Sequence, residues 1–460
     1  MAQKATSLYS ELSSKVYTQK IAQLNAYKVP KTYDDKSSQA WYDEILTGRK
    51  NDLLETFKDD EIINDSLLLK KCNAVLKRIS TSNSKYNFDS IKVYINRSLI
   101  PNAVCYGEGT IMINLGLLLW VDNDDELAFI LAHEFSHQLL NHADQKVKKS
   151  IAALTSEDFV KELKKIKKAE YGKYQRYKDL MKDLNLESSK HSRFKESEAD
   201  SLGIIFANNA GYNTKLGSRV LLKLDNADEI FESKKVYNTK DFFAETGVDI
   251  SSFTTTSKYN GLSKVAIVAT EDKLADSLKT HPDCSKRYEA INGKGVKPII
   301  NCCSALTNDY KEVKERAMVE ITRYVYENGS LTFCIHMCAF ALKNNYDATY
   351  YKSMLATSFS KIYYNDKNLK RFNSVNVAAS PGTNLKELQD YLFAVSNEDL
   401  EKLALYFLDN NKEKTGEDFE FAYRSYNIFI KEKDKEITNE TFSKKFPKSK
   451  YLYLITPPKK

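Results

Sequence analysis

The feature that most constrains this chain is an H-E-x-x-H motif, formed by His133, Glu134 and His137 within the apolar stretch 127–140. This stretch is typical of a buried α-helix, and residues 122–126 (Asp-Asn-Asp-Asp-Glu) supply the caps and negative charge that favour a helix start. Residues four apart on a helix project from nearly the same face, so the two imidazoles are expected to converge. Such a pair suits Zn²⁺, and Glu134 would lie beside the open coordination position as a general base.

The residues that follow the motif exclude one class of zinc site. A metzincin has a glycine and a third histidine at the places where this chain has Leu140 and Ala143. His142 is one position away from the second of these places, and on a continuous helix it would point well away from His133 and His137. The third ligand is therefore expected from another part of the chain.

The best candidate for that ligand is Glu196, which lies in the segment 196–203, Glu-Ser-Glu-Ala-Asp-Ser-Leu-Gly. Glu196 and Asp200 are four residues apart and share a face of a predicted helix. Glu196 can complete a two-histidine, one-glutamate catalytic zinc site, which leaves the fourth position for water. Asp200 can accept a hydrogen bond from a ligating imidazole. Gly203, one turn further along, would allow close approach to the motif helix.

Several segments together resemble one known family. They are Asn102-Ala103, Asn114-x-Gly116-Leu117-Leu118, 125–128, 133–142, 196–203, and Thr280-His281-Pro282 with Arg287. These motifs look like those of the HtpX-like zinc peptidases, metallopeptidase family forty-eight, over about residues 60–295. That family also contains CAAX prenyl proteases, a mitochondrial inner-membrane quality-control peptidase and periplasmic outer-membrane assembly proteases.

The resemblance implies His133, His137 and Glu196 as zinc ligands and Glu134 as the base. Many family members have transmembrane helices in or around this domain, but no apolar run here approaches the ~20 residues that span a bilayer. The chain therefore resembles the soluble and peripheral branches. Peripheral membrane association remains open, and prenyl-protein substrates are not expected.

The third family motif places a histidine and an arginine near the active site, which here are His281 and Arg287. A donor placed where the oxyanion forms is usually worth ~3 kcal/mol in addition to the metal. His281 could be that donor, with Arg287 fixing a loop or a carboxylate nearby. Alternatively, His281 caps a helix that begins near Asp283.

A small β-sheet is predicted before the motif helix. Residues 91–95 alternate apolar and polar side chains, and residues 103–106 and 110–114 flank a Gly-Glu-Gly turn that is typical of a hairpin. The strand 110–114 is a candidate edge strand whose Ile111, Met112 and Ile113 would hold an extended substrate peptide by main-chain hydrogen bonds. The alternative is that this strand is paired internally.

The remaining residues are predicted to be mainly helical. We expect an N-terminal helical segment over 1–58, a peptidase domain over 59–295 and a helical C-terminal domain over 296–460. The sequence does not indicate the role of the C-terminal domain, for which binding of a partner protein is one candidate. Predicted helices are 38–57, 61–79, 311–326, 331–344, 348–363, 386–393, 397–408 and 417–433. The lysine-rich segment 145–191 is either a solvated helical arm or a lid or basic face for acidic partners or anionic membranes.

Composition narrows the class of partner. The net charge of +7 is spread along helical faces without an arginine-rich block, so nucleic acid is excluded as a partner. The seven cysteines lack the spacing of a disulfide framework, so buried thiols are expected; in an oxidising compartment Cys302, Cys303, Cys334 and Cys338 could form bridges.

The N-terminus shows no signal peptide, and we expect an extracytoplasmic protein whose signal was removed rather than a cytoplasmic one.

These observations predict an α+β, mostly helical, gluzincin-type fold with zinc as cofactor. The expected function is zinc-dependent endopeptidase activity on polypeptide substrates, with a role in protein quality control. The alternative is a non-catalytic, chaperone-like or binding scaffold that is stabilised by zinc. Glu134 favours the enzyme, because a purely structural zinc site has no use for a general base.

Overall fold

The computed structural model describes residues 17–58, 61–88, 90–106, 109–225, 237–248, 284–293, 308–379 and 382–455. The chain divides into two compact units. The site unit comprises Ser10–Asp225 and Leu278–Val313, and the helical unit comprises Met1–Tyr9, Asn226–Ser277 and Lys314–Lys460. None of the helices within the described ranges combines the length and the hydropathy that a membrane crossing requires.

The described residues are mostly helical with one small mixed sheet, so the predicted α+β class is confirmed. The strands are β1 Ile62–Ile63, β2 Lys92–Asn96, β3 Ala103–Cys105 and β4 Thr110–Asn114. The helices up to residue 225 are α1 Thr18–Ala26, α2 Lys36–Lys58, α3 Ser66–Ser82, α4 Leu115–Leu118, α5 Asp124–Leu139, α6 His142–Leu154, α7 Glu157–Lys168, α8 Lys173–Asn209, α9 Thr214–Gly217 and α10 Arg219–Asp225. The later helices are α11 Thr239–Ala244, α12 Cys284–Asn292, α13 Asn308–Glu327, α14 Leu331–Lys343, α15 Ala348–Lys367, α16 Arg371–Val375, α17 Asn384–Ala394, α18 Asn397–Asp409, α19 Glu417–Phe429, α20 Lys435–Lys445 and α21 Leu452–Ile455.

The sheet has the strand order β1-β2-β4-β3. Strand β3 pairs antiparallel with β4, which confirms the predicted hairpin, and β4 also pairs in parallel with β2. The prediction of β4 as an edge strand is therefore wrong, and the internal pairing is what the structure has. Ile111, Met112 and Ile113 are all buried, because both faces of this strand are covered. Both sides of β4 bond to neighbouring strands, so it has no free side on which a substrate could add.

The start of α3 also differs from its prediction, which placed a helix over residues 61–79. Ile62 and Ile63 instead form the short strand β1, which pairs antiparallel with β2. The helix begins after Asp65, whose carboxylate accepts hydrogen bonds from the backbone N–H groups of Leu67 and Leu68, both at 2.9 Å. This side-chain cap fixes the helix start and leaves the two isoleucines to the sheet.

The motif helix α5 lies in the core of the site unit. Asn123 caps its first turn by accepting from the backbone N–H of Glu126 at 3.0 Å, as the acidic and amide residues there predicted. Its residues from Glu126 to Ser136 are all buried, and it packs against α3, α8 and β3. The helix ends at Leu139, and Asn141 has a left-handed backbone conformation with φ of 52°. A new helix, α6, begins at His142.

The lysine-rich segment forms α6, α7 and the first part of α8. Tyr171 and Tyr174 near the start of α8 are largely exposed. Exposure of this kind fits the solvated helical arm.

The helices that the sequence predicted in the helical unit are present, with ends that agree within a few residues. The helices α11, α16, α20 and α21 were not predicted. His336, Cys334 and Cys338 on α14 are buried. The hydroxyl of Tyr237 bonds to Nδ1 of His336, so this histidine is part of the packing. Cys334 and Cys338 are free thiols, while Cys302 and Cys303 lie outside the described residues.

Candidate metal centre

His133 and His137 converge on one point, as their spacing on α5 predicted. Their Nε2 atoms lie 3.0 Å apart, and the rings meet edge to face at a centroid distance of 4.6 Å. The His133 residue is 4% exposed, so this pair is largely shielded from solvent. Two ring nitrogens that point at the same position are suited to bind one metal ion.

Glu196 reaches the same position from α8. Its Oε2 lies 3.4 Å from Nε2 of His133, and its Oε1 lies 3.4 Å from Nε2 of His137. One ligand atom from each of these three residues lies within 4.8 Å of the others. The structure therefore brings together the three side chains that the sequence singled out as ligands.

Close packing of α8 on α5 places Glu196 at this distance. A Cβ atom on Gly203 would lie 3.0 Å from the backbone nitrogen and 3.1 Å from the Cα of His133. Real Cβ contacts are seldom so short, so a side chain at this position would push the two helices apart. The expectation that Gly203 allows close approach is confirmed.

Asp200 and Arg287 contact the candidate ligands His133 and Glu196. Oδ1 of Asp200 lies 2.9 Å from Nδ1 of His133. Arg287, on α12, donates to both oxygens of Asp200, at 2.8 Å from Nε and 2.7 Å from Nη2. Its Nη1 also lies 3.1 Å from Oε2 of Glu196. Of the alternatives for Arg287, the structure has the one in which it fixes a carboxylate.

The two histidines have opposite pKa shifts in the metal-free protein. Burial and the charge of Arg287 lower the pKa of His133, but hydrogen bonds to Asp200 and Glu196 outweigh them and raise it to about 9. Burial, with a smaller contribution from the charge of His133, lowers the pKa of His137 and outweighs the opposing hydrogen bond to Glu196.

The carboxyl of Asp200 is held in its charged form. Burial raises its pKa, but the hydrogen bonds from Arg287 and His133 prevail and keep the pKa well below the usual range. Burial alone would lower the pKa of Arg287, but the hydrogen bonds to Asp200 outweigh burial and raise the pKa above its usual value. A buried, ionised acceptor is therefore available to the Nδ1–H of His133.

Glu134 is buried on α5, directly after the first histidine. Its charge acts on His137, whose pKa it raises against the effect of burial. The placement agrees with a base that acts beside the two imidazoles.

His142 is a residue that the sequence reasoning placed wrongly. Its Nδ1 lies 2.8 Å from Nδ1 of His137, and the residue is 5% exposed. A continuous helix would have turned it away, but α5 ends at Leu139 and the left-handed conformation of Asn141 interrupts the helix before α6 begins. The signal that could have revealed this was Asn141 itself, because asparagine tolerates the left-handed conformation that terminates helices.

A cleft opens beside the metal-ligand cluster. Its lining includes His137 and Asn141 together with Tyr27, Tyr106 and Arg49. Aromatic rings and a guanidinium group thus line this cleft next to the candidate ligands.

The sequence also predicted site contributions from His281 and from the strand 110–114. His281 lies outside the described residues. Ile111, Met112 and Ile113 lie in the internal strand β4, as described above.

Comparison with known proteins agrees with the geometry. The model of peptidase family M48 matches residues 69–294. The mitochondrial metalloendopeptidase OMA1 of Arabidopsis thaliana is 25% identical over 173 residues, which are 36% of this chain and 32% of that protein. The chain thus covers about a third of that relative's length. Residues 69–294, which contain both the H-E-x-x-H motif and Glu196, are therefore assigned to peptidase family M48.

Proposed function

We propose that this protein is a zinc-dependent endopeptidase of the gluzincin type, which hydrolyses peptide bonds in polypeptide substrates. The observation that carries the proposal is the convergence of His133, His137 and Glu196 on one position, next to the buried Glu134. A structural zinc site normally has four protein ligands, whereas a catalytic site has three and an open position. Three ligands with a glutamate beside them favour catalysis over the scaffold alternative.

The donor set fits zinc. Two imidazoles and a carboxylate are the ligands of the thermolysin-like catalytic sites. In both histidines Nδ1 is engaged, with Asp200 for His133 and with His142 for His137, so Nε2 is the nitrogen turned to the common position. Hydrogen bonds of this kind orient ligating imidazoles and set their tautomer.

Each residue of the site would have its own role in peptide hydrolysis. When bound, zinc would polarise the scissile carbonyl and lower the pKa of the attacking water. The carboxylate of Glu134 would take the proton from that water and pass it to the leaving amine nitrogen. Asp200 and Arg287 would hold His133 and Glu196 in place, because their bonds leave these side chains few other orientations.

We place the substrate chain along the edge of the sheet and the adjoining cleft. Strand β3 is last in the strand order, and it contacts α5, where Sγ of Cys105 donates to Oε1 of Gln138 at 3.4 Å. An extended peptide is commonly recognised by addition to a sheet edge. In this proposal strand β3 has the substrate-binding role that the sequence analysis had suggested for β4.

Two further parts of the proposal are a role in protein quality control and the stabilisation of the oxyanion by His281.

The proposal is tested by hydrolysis of an unfolded, fluorescently labelled polypeptide. Wild-type protein should cleave it, a chelator should abolish cleavage, and added zinc should restore it. The variant Glu134→Gln should keep its zinc and lose at least about a hundredfold in turnover, because an amide cannot accept the proton. Glu162→Gln, which changes a half-exposed carboxylate on α7, is the matched control and should be unaffected. A zinc-loaded wild type that cleaves no polypeptide would favour the scaffold, and near wild-type turnover of Glu134→Gln would remove Glu134 from the mechanism.

A further inference from the structure

We infer that His142 is a positioning residue, which fixes the ring orientation and the tautomer of His137 so that Nε2 of His137 is available to the metal. The inference rests on the proposed zinc site, and it adds a residue that neither the motif nor the ligand set contains. Three features of the structure carry it: the break between α5 and α6, the contacts of the two ring nitrogens of His142, and the burial of the residue.

The helix break brings His142 to the site. Leu139 ends α5, and the left-handed Asn141 turns the chain so that α6 begins with His142 beside His137. The carbonyl of His142 also accepts a hydrogen bond from Nζ of Lys195 at 3.1 Å. Since Lys195 directly precedes Glu196, the start of α6 is tied to the part of α8 that supplies the third ligand.

The partners of His142 determine which nitrogen donates. Nε2 of His142 faces Oε2 of Glu198 at 3.5 Å, and a carboxylate can only accept. The proton of a neutral His142 therefore belongs on Nε2, and its Nδ1 is an acceptor. Nδ1 of His137, at 2.8 Å, must then carry the proton that it donates. This arrangement leaves the lone pair of His137 on Nε2, which is the atom turned to Glu196 and His133.

The contact has a counterpart on the other ligand. Asp200 lies 2.9 Å from Nδ1 of His133, just as His142 lies 2.8 Å from Nδ1 of His137. Because His142 is 5% exposed, water has little access to replace it. Loss of such a partner typically weakens metal binding 10–100-fold, so His142 should matter to the metal even though it does not ligate it.

The first test is zinc affinity, measured by competition with a chromophoric chelator. His142→Ala should bind zinc at least about tenfold more weakly than wild type. His142→Asn should recover much of the loss, because its Oδ1 occupies nearly the place of Nδ1 and accepts the same bond. Gln145→Ala is the matched control, since it removes a bond from the exposed Nε2 of Gln145 to the carbonyl of Leu140 in the same turn. It should bind zinc like wild type.

A second readout separates positioning from general damage to the fold. In the cobalt-substituted protein, the Nδ1–H protons of ligating histidines give shifted resonances that are visible in water when exchange is slow. Wild type and His142→Asn should show one for His133 and one for His137. His142→Ala should lose the His137 resonance through solvent exchange, while keeping that of His133. The melting temperature of each metal-free variant shows whether it is folded.

The outcomes distinguish this inference from the proposed function. If wild type binds zinc and His142→Ala binds it equally well with both proton resonances, the inference is wrong and the zinc site stands. An asparagine variant that is folded but as weak as the alanine variant also overturns it, since the bond at Nδ1 would then not be the cause. If wild type binds no zinc at all, both the proposed function and this inference fail.

Discussion

Nε2 of His133 lies 3.0 Å from Nε2 of His137, and Glu196 faces both from a helix that starts more than thirty residues later in the chain. The two histidines lie close together because they are four residues apart on one helix. Glu196 reaches them only because α8 packs against α5. The site therefore depends on how closely these helices approach each other.

That dependence can be tested at Gly203. An alanine there would bring Cβ to 3.0 Å from the backbone of His133, and backbone atoms cannot move aside as a flexible side chain would. Overpacking of this kind costs about 1–3 kcal/mol. We expect Gly203→Ala to lower the free energy of unfolding in urea and to weaken zinc binding, because Glu196 moves with α8.

Gly48 in α2 supplies the control for the glycine substitution. A Cβ there would meet no atom within 4 Å, so Gly48→Ala should be neutral or should stabilise the protein by about 0.5–1 kcal/mol. Equal behaviour of the two alanine variants, in both stability and zinc affinity, would show that close approach at Gly203 is not required.

A further prediction concerns the buried pair of Asp200 and Arg287. Asp200→Asn would leave Arg287 with a weaker partner in a buried setting, and breaking such a pair typically costs about 3–5 kcal/mol. The double variant Asp200→Asn, Arg287→Met removes both charges and should regain part of that loss. Urea unfolding of the four metal-free proteins measures the coupling between the two residues. Strictly additive effects would contradict the structural role of the pair.

Local patterns were enough to predict the H-E-x-x-H helix, Glu196 as its partner and most helices of the helical unit. These features depend on spacing along one helix and on caps, which act over a few residues. The position of β4 depends instead on pairing with β2 across an intervening strand, and such non-local pairing leaves a weaker trace in the sequence. The sequence feature that indicated this pairing was the uninterrupted apolar run Ile111-Met112-Ile113. Such a run is typical of a strand that is covered on both faces rather than of an edge strand.

His142 was misplaced for a different reason. The assumption of one continuous helix decided its direction, and the helix ends only two residues after His137. A single backbone conformation, φ of 52° at Asn141, converts a residue that would have pointed away into a partner of the ligand. Distances along the sequence predict side-chain contacts only as long as the helix continues.

Alkaline pH should weaken the packing of Tyr17 on the sheet. Its hydroxyl donates to the carbonyl of Ile63 at 3.3 Å, and burial, with a smaller contribution from the charge of Tyr94, raises its pKa from 10.0 to about 12. Because the folded-state pKa lies above the unfolded one, the contribution of Tyr17 to stability is complete below pH 10 and is lost as the pH rises to 12.

The comparison with Tyr17→Phe isolates this effect. At pH 9 the phenylalanine variant should be less stable than wild type by about 1 kcal/mol, the value of the lost hydrogen bond. Between pH 10 and 12 the difference should shrink or reverse, because only wild type has the proton to lose. Urea unfolding of both proteins at pH 9 and pH 11.5 measures it, and a difference that is the same at both values would contradict the prediction.

The most direct measurement of the central claim is the zinc content of purified protein by elemental analysis. Wild type, Glu134→Gln and the control Glu162→Gln should each contain one zinc per chain. The double variant His133→Ala, His137→Ala and the variant Glu196→Gln should contain little or none while remaining folded by circular dichroism. Equal zinc content in wild type and in the double histidine variant would contradict the assignment of the site.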